Sequence, residues 1–277
     1  MTAPRIPLAG VIGYPVAHSR SPRLFAHWLK AHDLPGHYIP LEIASDKLES
    51  SLRCLPDLGF VGVNVTLPYK EKVMDLADLI SDRATLIGAA NTLIFRQDGK
   101  IHADNTDGYG FVENLRQGAP GWNPRLGAAT VFGAGGAARA VIASLLDVGV
   151  PEIRLTNRTR IRAEKLRDDF GNRVQVHDWV KAGNIIEGSQ VIINTTSLGM
   201  VGKPPFRVPL DALKPGMIVT DIVYTPLKTH LLEVAEARGC IAVDGLGMLL
   251  HQAVPGFERW FGQRPEITQS TRSAVLS

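Results

Sequence analysis

The stretch Ala128-Ala129-Thr130-Val131-Phe132-Gly133-Ala134-Gly135-Gly136-Ala137-Ala138 decides the fold of this chain. A short apolar run meets a glycine-rich turn, and an alanine-rich segment then continues to Leu146. Strand, tight turn and helix in that order are the setting in which a G-x-G-x-x-G/A pattern means dinucleotide binding. Gly133 lets the strand reverse, Gly135 lets backbone approach a pyrophosphate, and Ala138 lets the helix pack closely on the sheet. Ala134, Gly136 and Ala137 complete the loop. The helix start adds free N–H groups and a partial positive charge.

The next strand, Ile153-Arg154-Leu155-Thr156, ends in Asn157-Arg158-Thr159, with Arg162 one helical turn further on. Chains that bind NAD usually carry Asp or Glu near that strand end, to accept from the ribose hydroxyls. Arginine stands there instead. A guanidinium pairs with the extra phosphate of NADP in fork geometry, and Asn157 and Thr159 can donate further bonds. The expectation is therefore NADP. Glu152 is acidic and nearby, but it precedes the strand and belongs at its opposite end.

At 277 residues, 45% hydrophobic and 21% charged, the chain has room for two globular domains. A net charge of +3 without a Lys/Arg block gives no reason to expect nucleic acid. No apolar stretch approaches a membrane span, no signal-peptide pattern opens the chain, and a cytoplasmic location is expected. Cys54 and Cys240 stand far apart, and the histidines show no ligand spacing, so neither disulfide nor metal is expected.

Strands are predicted at Leu8 to Gly13, Tyr38 to Ile43 and Gly59 to Val65, with helices at Ser21 to His32 and Lys47 to Leu55. A short helix is predicted from Pro68, and a hairpin around Gln97-Asp98-Gly99. Asp107 to Leu115 reads as a helix, and the Gly/Pro-rich segment Gly118 to Arg125 as a boundary. Further strands follow at Arg173 to Val176, Val191 to Asn194, Ile218 to Asp221 and Ile241 to Val243. Gly247 to Phe261 reads as a final long helix, kinked at Pro255, with a polar tail fraying from about Gln269. The fold class is α/β: an N-terminal α/β substrate domain (residues 1–118, completed by 247–277) and a C-terminal doubly wound parallel-sheet domain of Rossmann type (119–246).

Polar residues cluster at strand ends and helix starts in four stretches of the first half, 13–22, 64–70, 88–93 and 104–108. Converging hydroxyls, an amide, a lysine and a carboxylate would suit a small polyol acid. With these residues the chain resembles the shikimate dehydrogenase family, which interconverts 3-dehydroshikimate and shikimate with NADP. The motifs that carry the resemblance are Ser-x-Ser-Pro, Asn-Val-Thr-x-Pro-x-Lys, Asn-Thr-Leu, Asn-Thr-Asp-Gly, Gly-Ala-Gly-Gly-Ala, Asn-Arg-Thr, Tyr-x-Pro-x-x-Thr and Asp-Gly-Leu-Gly-Met-Leu-x-x-Gln-Ala, in order along nearly the whole chain.

The resemblance implies that Ser19 and Ser21 hold the substrate carboxylate, with Tyr224 near it, and that Thr66, Asn91, Asp107 and Gln252 bind ring hydroxyls. Lys70 and Asp107 match the family's catalytic pair. Gly133 to Ala137 match the pyrophosphate loop, Asn157, Arg158, Thr159 and Arg162 the adenosine-phosphate clamp, and Ile222 and Gly245 the nicotinamide end. A monomer or homodimer is implied. Each residue also has a plainer reading. Ser19 and Ser21 could be helix caps, Lys70 a solvated lysine, Gln252 a residue riding a helix face and Tyr224 part of a turn. Asp104 competes with Asp107 as the functional acid; family register selects Asp107. A quinate/shikimate dehydrogenase with relaxed cofactor use and a non-catalytic NADP- or metabolite-binding regulator are the alternatives.

Overall fold

The computed structural model describes residues 6–276, and by its contacts the chain divides into two compact units. The first comprises residues up to Thr106 together with Leu250 onward; the second runs from Asp107 to Leu249.

The first unit is built on β1 (Leu8–Gly13), α1 (Ser21–Ala31), β2 (His37–Glu42), α2 (Leu48–Cys54), β3 (Phe60–Val65), α3 (Lys72–Leu76), β4 (Leu79–Ile80), α4 (Asp82–Ile87), β5 (Thr92–Phe95) and β6 (Ile101–Asp104). Its strands form one mixed sheet in the order β2-β1-β3-β5-β6-β4. The first three are parallel, and the β5–β6 hairpin pairs antiparallel with β3. Asp98-Gly99 supplies the turn, with Gly99 at φ 78°, a conformation that glycine adopts without strain. The predicted short helix begins at Lys72 rather than Pro68, because residues 67–70 form a turn closed by Tyr69 N–H on the Thr66 carbonyl.

The second unit contains α5 (Asp107–Gly118), β7 (Ala128–Phe132), α6 (Gly136–Asp147), β8 (Ile153–Thr156), α7 (Arg160–Phe170), β9 (Val174–His177), β10 (Ser189–Asn194), β11 (Ile218–Asp221), α8 (His230–Ala237) and β12 (Ile241–Val243). The order β12-β11-β10-β7-β8-β9 is parallel throughout, the doubly wound arrangement expected from alternating strands and helices. Its central strands β7, β10 and β11 are almost wholly buried, as a parallel sheet covered on both faces requires. Helix α5 belongs to this unit, although the sequence reading put the boundary after Gly118. Gly108 explains why: a Cβ there would stand 3.0 Å from the Ala140 carbonyl oxygen, so α5 packs backbone-close on α6.

Helix α9 (Leu246–Phe261) begins in the second unit and ends in the first, running continuously through Pro255. Within the first unit its Phe257 and Trp260 join Phe25, Trp28 and Tyr38 in an aromatic core, and Phe25 stacks on Tyr38 with centroids 3.8 Å apart. Trp260 lies so close to β3 that a Cβ on Gly62 would meet its indole nitrogen at 2.1 Å. Helix α9 is not the last element. Residues Gln269–Leu276 form α10, which packs on α1 and buries Thr271 and Val275, where a fraying tail was expected. The polar composition hid an amphipathic turn pair. Among the described residues, no helix is long and apolar enough to cross a membrane.

Candidate active site

In the first unit the polar residues of the four motifs sit on turns that hydrogen bonds lock to one another. The turn after β1 is fastened by Tyr14 N–H on the Leu67 carbonyl (3.2 Å) and by Val16 N–H on Glu42 Oε2 (3.1 Å). Ser19 Oγ accepts from the Ser21 N–H at 3.3 Å, so one of the two serines does serve the start of α1. Ser21 is buried and hydrogen-bonds Tyr38, whose hydroxyl donates to Asn64 Oδ1 at 2.7 Å. The Asn64 amide in turn donates to the Asn91 carbonyl (3.1 Å) and to Thr92 Oγ1 (3.2 Å).

Asn91 is the hub. Its Oδ1 accepts from Thr106 N–H at 2.8 Å, and its Nδ2 donates to Gln252 Oε1 at 3.1 Å. Thr106 Oγ1 donates to the Gln252 carbonyl at 2.8 Å. Residues from β5, β6 and α9, far apart in sequence, are thus fixed in one buried cluster. Thr66 and Lys70 lie half-buried on the turn after β3, and the Lys70 carbonyl accepts from Ala90 N–H at 2.8 Å, which ties that turn to the Asn91 segment. Gln252 reaches Asn91 from a helix that continues through Pro255. Tyr69 is buried and donates its hydroxyl to the Ile43 carbonyl.

The two candidate acids separate cleanly. Asp104 accepts from Ser81 Oγ (2.7 Å) and the Asn105 N–H (2.8 Å), and Arg83 grips it with two bonds, one of 2.6 Å. Burial pushes its carboxyl up, but the Arg83 guanidinium and the Ser81 hydroxyl outweigh this and hold it below the usual range. Its lone pairs are occupied by the fold. Asp107 opens α5 in the second unit, half-buried.

In the second unit the glycine loop links β7 to α6. Gly133 has φ 108°, and a Cβ there would meet Thr195 Oγ1 at 2.7 Å, so only glycine fits. Gly135 and Gly136 have open space where a side chain would be, and Gly135 caps α6 without a side-chain bond. The start of α6 therefore leaves room for a group to approach its backbone closely, and a helix N-terminus favours an anion there. At the end of β8, Asn157 Nδ2 donates to the Thr159 carbonyl at 2.8 Å and shapes the turn that presents Arg158. Thr159 does not spend its hydroxyl on capping α7. Arg160 is held by Glu164 and Asp178, whereas Arg158 and Arg162 make no ion pair among the described residues. Arginines without ion partners, in the same unit as a glycine loop with open space at a helix start, fit the phosphates of a dinucleotide.

The carboxyl ends of β10 and β11 are joined by buried Asp221, which accepts from Asn194 Nδ2 (3.0 Å), Val223 N–H (2.9 Å) and Thr229 Oγ1 (2.8 Å). Burial pushes this carboxyl up, and those three bonds draw it partly back. Ile222 and Tyr224 follow on the same turn. Gly245 packs so tightly there that a Cβ would lie 2.4 Å from the Ile222 carbonyl oxygen. Asn64, Tyr38 and Thr106 belong to the polar cluster of the first unit beyond the residues predicted from the sequence. Asn64 and Thr106 lay inside quoted motifs, but Tyr38 carried no signal beyond a strand-like pattern. Among the described residues no group of three or more His, Cys, Asp or Glu stands where it could hold a metal ion.

A doubly wound sheet with this glycine loop and arginine turn, on a chain whose other unit carries a buried polar cluster, defines a dinucleotide-dependent dehydrogenase. Family models bear on it directly: the shikimate dehydrogenase substrate binding domain matches residues 11–93, shikimate / quinate 5-dehydrogenase matches 125–201, and the shikimate 5'-dehydrogenase C-terminal domain matches 245–276. The chain belongs to the shikimate dehydrogenase family. It is 68% identical over 273 residues (99% of this chain, 98% of the relative) to shikimate dehydrogenase (NADP(+)) of Cereibacter sphaeroides strain KD131. Among solved structures it is similar to quinate dehydrogenase from Corynebacterium glutamicum in complex with NAD, with TM-score 0.89, 30% identity and coverage of 97% and 98% of the two chains. It is also similar to shikimate 5-dehydrogenase from Thermus thermophilus in complex with NADP(H) and shikimate, with TM-score 0.85, 34% identity and the same coverage.

Proposed function

We propose that this chain catalyses the reversible reduction of 3-dehydroshikimate to shikimate with NADPH. The observation that carries the reading is the 68% identity to an enzyme named for that reaction, extending over essentially the whole chain. Ser19 and Ser21 bind the substrate carboxylate through their hydroxyls, with Tyr224 near it. Thr66, Asn91 and Gln252 bind ring hydroxyls, the Asn91 and Gln252 amides being oriented by the bonds they share with each other and with Thr106. Gly133 to Ala137 hold the pyrophosphate, Asn157, Arg158, Thr159 and Arg162 the 2′-phosphate, and Ile222 and Gly245 flank the nicotinamide.

Bound NADPH supplies a hydride. Reduction of the ketone leaves an alkoxide, which must gain a proton as it forms. The Lys70 ammonium, bonded to that oxygen, stabilises the charge and gives it the proton. Asp107 accepts from the neighbouring ring hydroxyl and fixes the ring relative to that oxygen. In the oxidation direction the neutral Lys70 amine takes the hydroxyl proton. The same reading makes the chain a cytoplasmic enzyme, monomeric or homodimeric.

A quinate-oxidising variant is the second reading, favoured by the likeness to the Corynebacterium enzyme and opposed by Arg158. The deciding experiment follows absorbance of reduced nicotinamide as purified protein meets shikimate or quinate with NADP or NAD. Signal largely confined to shikimate with NADP is expected. Comparable signal with quinate or NAD would move the chain to the broader activity. Silence from folded protein would leave a binding function alone.

A further inference from the structure

Asp221 is a carboxyl of the second unit that the proposed reaction does not use. It is wholly buried, and no cation faces it among the described residues. Burying such a group costs stability unless donors fill its lone pairs. Three donors reach it from three segments: Asn194 Nδ2 at the end of β10, Val223 N–H two residues on, and Thr229 Oγ1 at the start of α8. Thr229 closes the Tyr-x-Pro-x-x-Thr motif, and its hydroxyl serves Asp221 instead of capping α8.

Asn194 is fixed in turn. Its Oδ1 accepts from Thr196 N–H (3.0 Å) and Thr196 Oγ1 (2.7 Å), and its Nδ2 donates to the Leu198 carbonyl (3.1 Å) besides Asp221. Both hydrogens and both acceptor sites are used, so the amide has one orientation. Neighbouring Thr195 donates its hydroxyl to the Phe132 carbonyl at 2.7 Å, directly against Gly133. These bonds lock the turn after β11 in register with the glycine loop. Ile222 stands on that turn, half-buried between buried Asp221 and Val223. Its N–H donates to the Asn194 carbonyl at 3.1 Å, and its own carbonyl lies against Gly245.

We propose that Asp221 is a positioning residue for hydride transfer: acting through Asn194 and the 222–229 turn, it holds the surface that the nicotinamide ring rests on in register with the pyrophosphate loop. A ring whose support drifts tilts away from the reacting carbon, and hydride transfer is steep in that geometry. The acceptors of Asp221 matter here, not its charge. Asparagine keeps the two contacts at Oδ1 and can turn its nitrogen to Thr229 Oγ1, a hydroxyl that accepts as well as donates. Alanine removes all three contacts. The inference rests on the assignment of Ile222 and Gly245 to the nicotinamide end in the reading above.

Stopped-flow single-turnover oxidation of NADPH by 3-dehydroshikimate tests it, beside calorimetric titration of 2′,5′-ADP. The latter has no nicotinamide, so it reports whether the cofactor unit is folded. Asp221→Ala should slow hydride transfer by about 10²-fold, as for a reacting group displaced by about 1 Å, with 2′,5′-ADP affinity and stoichiometry at wild-type values. Asp221→Asn should stay close to wild type, and Thr229→Val, which removes one contact, should lie between asparagine and alanine. A wild-type rate in Asp221→Ala would overturn the proposal. So would a loss in Asp221→Asn as deep as in alanine, which would assign the effect to charge. If Asp221→Ala loses 2′,5′-ADP binding in step with its rate, Thr229→Val decides: slower transfer at wild-type affinity supports the proposal, and unchanged transfer overturns it. Wild-type protein that leaves NADPH unoxidised while binding 2′,5′-ADP would overturn the reading of the reaction itself, and the proposal with it.

Discussion

The two units prepare their sites in opposite ways. In the first, polar groups are buried and satisfy one another, from Ser21 through Tyr38, Asn64, Asn91 and Thr106 to Gln252. In the second, the glycine loop stands open, and Arg158 and Arg162 are left without ion partners among the described residues. The difference follows from what each site is proposed to hold. The ring hydroxyls of a small polyol acid offer only neutral hydrogen bonds, so the groups that bind them gain from being oriented and desolvated beforehand. A dinucleotide brings its own charges, and cations already neutralised by protein carboxylates would have to give those up before binding.

Four experiments test that contrast. The largest effect is expected from Lys70→Ala, the proposed proton donor. Loss of a general acid should lower kcat by about 10²- to 10⁴-fold while NADP binding by calorimetry stays near wild type. Turnover at the wild-type rate would remove Lys70 from the mechanism. Next is Asn91→Ala, which strips partners from Thr106 N–H and Gln252 together. With the buried Thr106 N–H orphaned and one Gln252 bond lost, stability to urea should fall by about 2 kcal/mol, and activity should fall further than stability alone explains. A variant as stable as wild type would mean that the cluster is not the pre-ordered unit described.

Arg158→Ala should act on selectivity instead. Removing charge-assisted bonds to a phosphate should cut kcat/KM for NADPH by about tenfold or more, with NADH little affected and folding stability unchanged. Equal losses with both cofactors would place Arg158 elsewhere. The smallest effect concerns Asp104. Its carboxyl lies below the usual range in the folded chain, so it contributes stability that is present above the unfolded pKa of about 4 and is lost as pH falls through the lower folded value. Asp104→Asn should lack that acid-side loss and be less stable than wild type at neutral pH, as urea midpoints measured across the acid range will show. Its cofactor selectivity should not move.

Much of the second unit was legible because its signals are local. Residues 128–138 contain strand, turn and helix start in one stretch, and Arg158 needs only its position at the next strand end to be read. The first unit was legible as ordered motifs, but not as a mechanism of order. Nothing in the sequence joins Asn91 to Gln252, which lie 161 residues apart yet share a hydrogen bond. Asp104 and Asp107 are three positions apart and chemically equivalent on paper. Only the structure shows that Arg83 and Ser81 occupy the first.

The sequence by itself determined the classes of element, the doubly wound second unit, the glycine loop and the arginine at the end of the following strand. All of these rest on backbone sterics and spacing over a few residues. The tertiary structure decided which side chains are free to act. It assigned α5 to the second unit through close packing at Gly108 and turned the polar tail into a helix docked on α1. Partnering and burial depend on residues distant in the chain, and no local pattern encodes them.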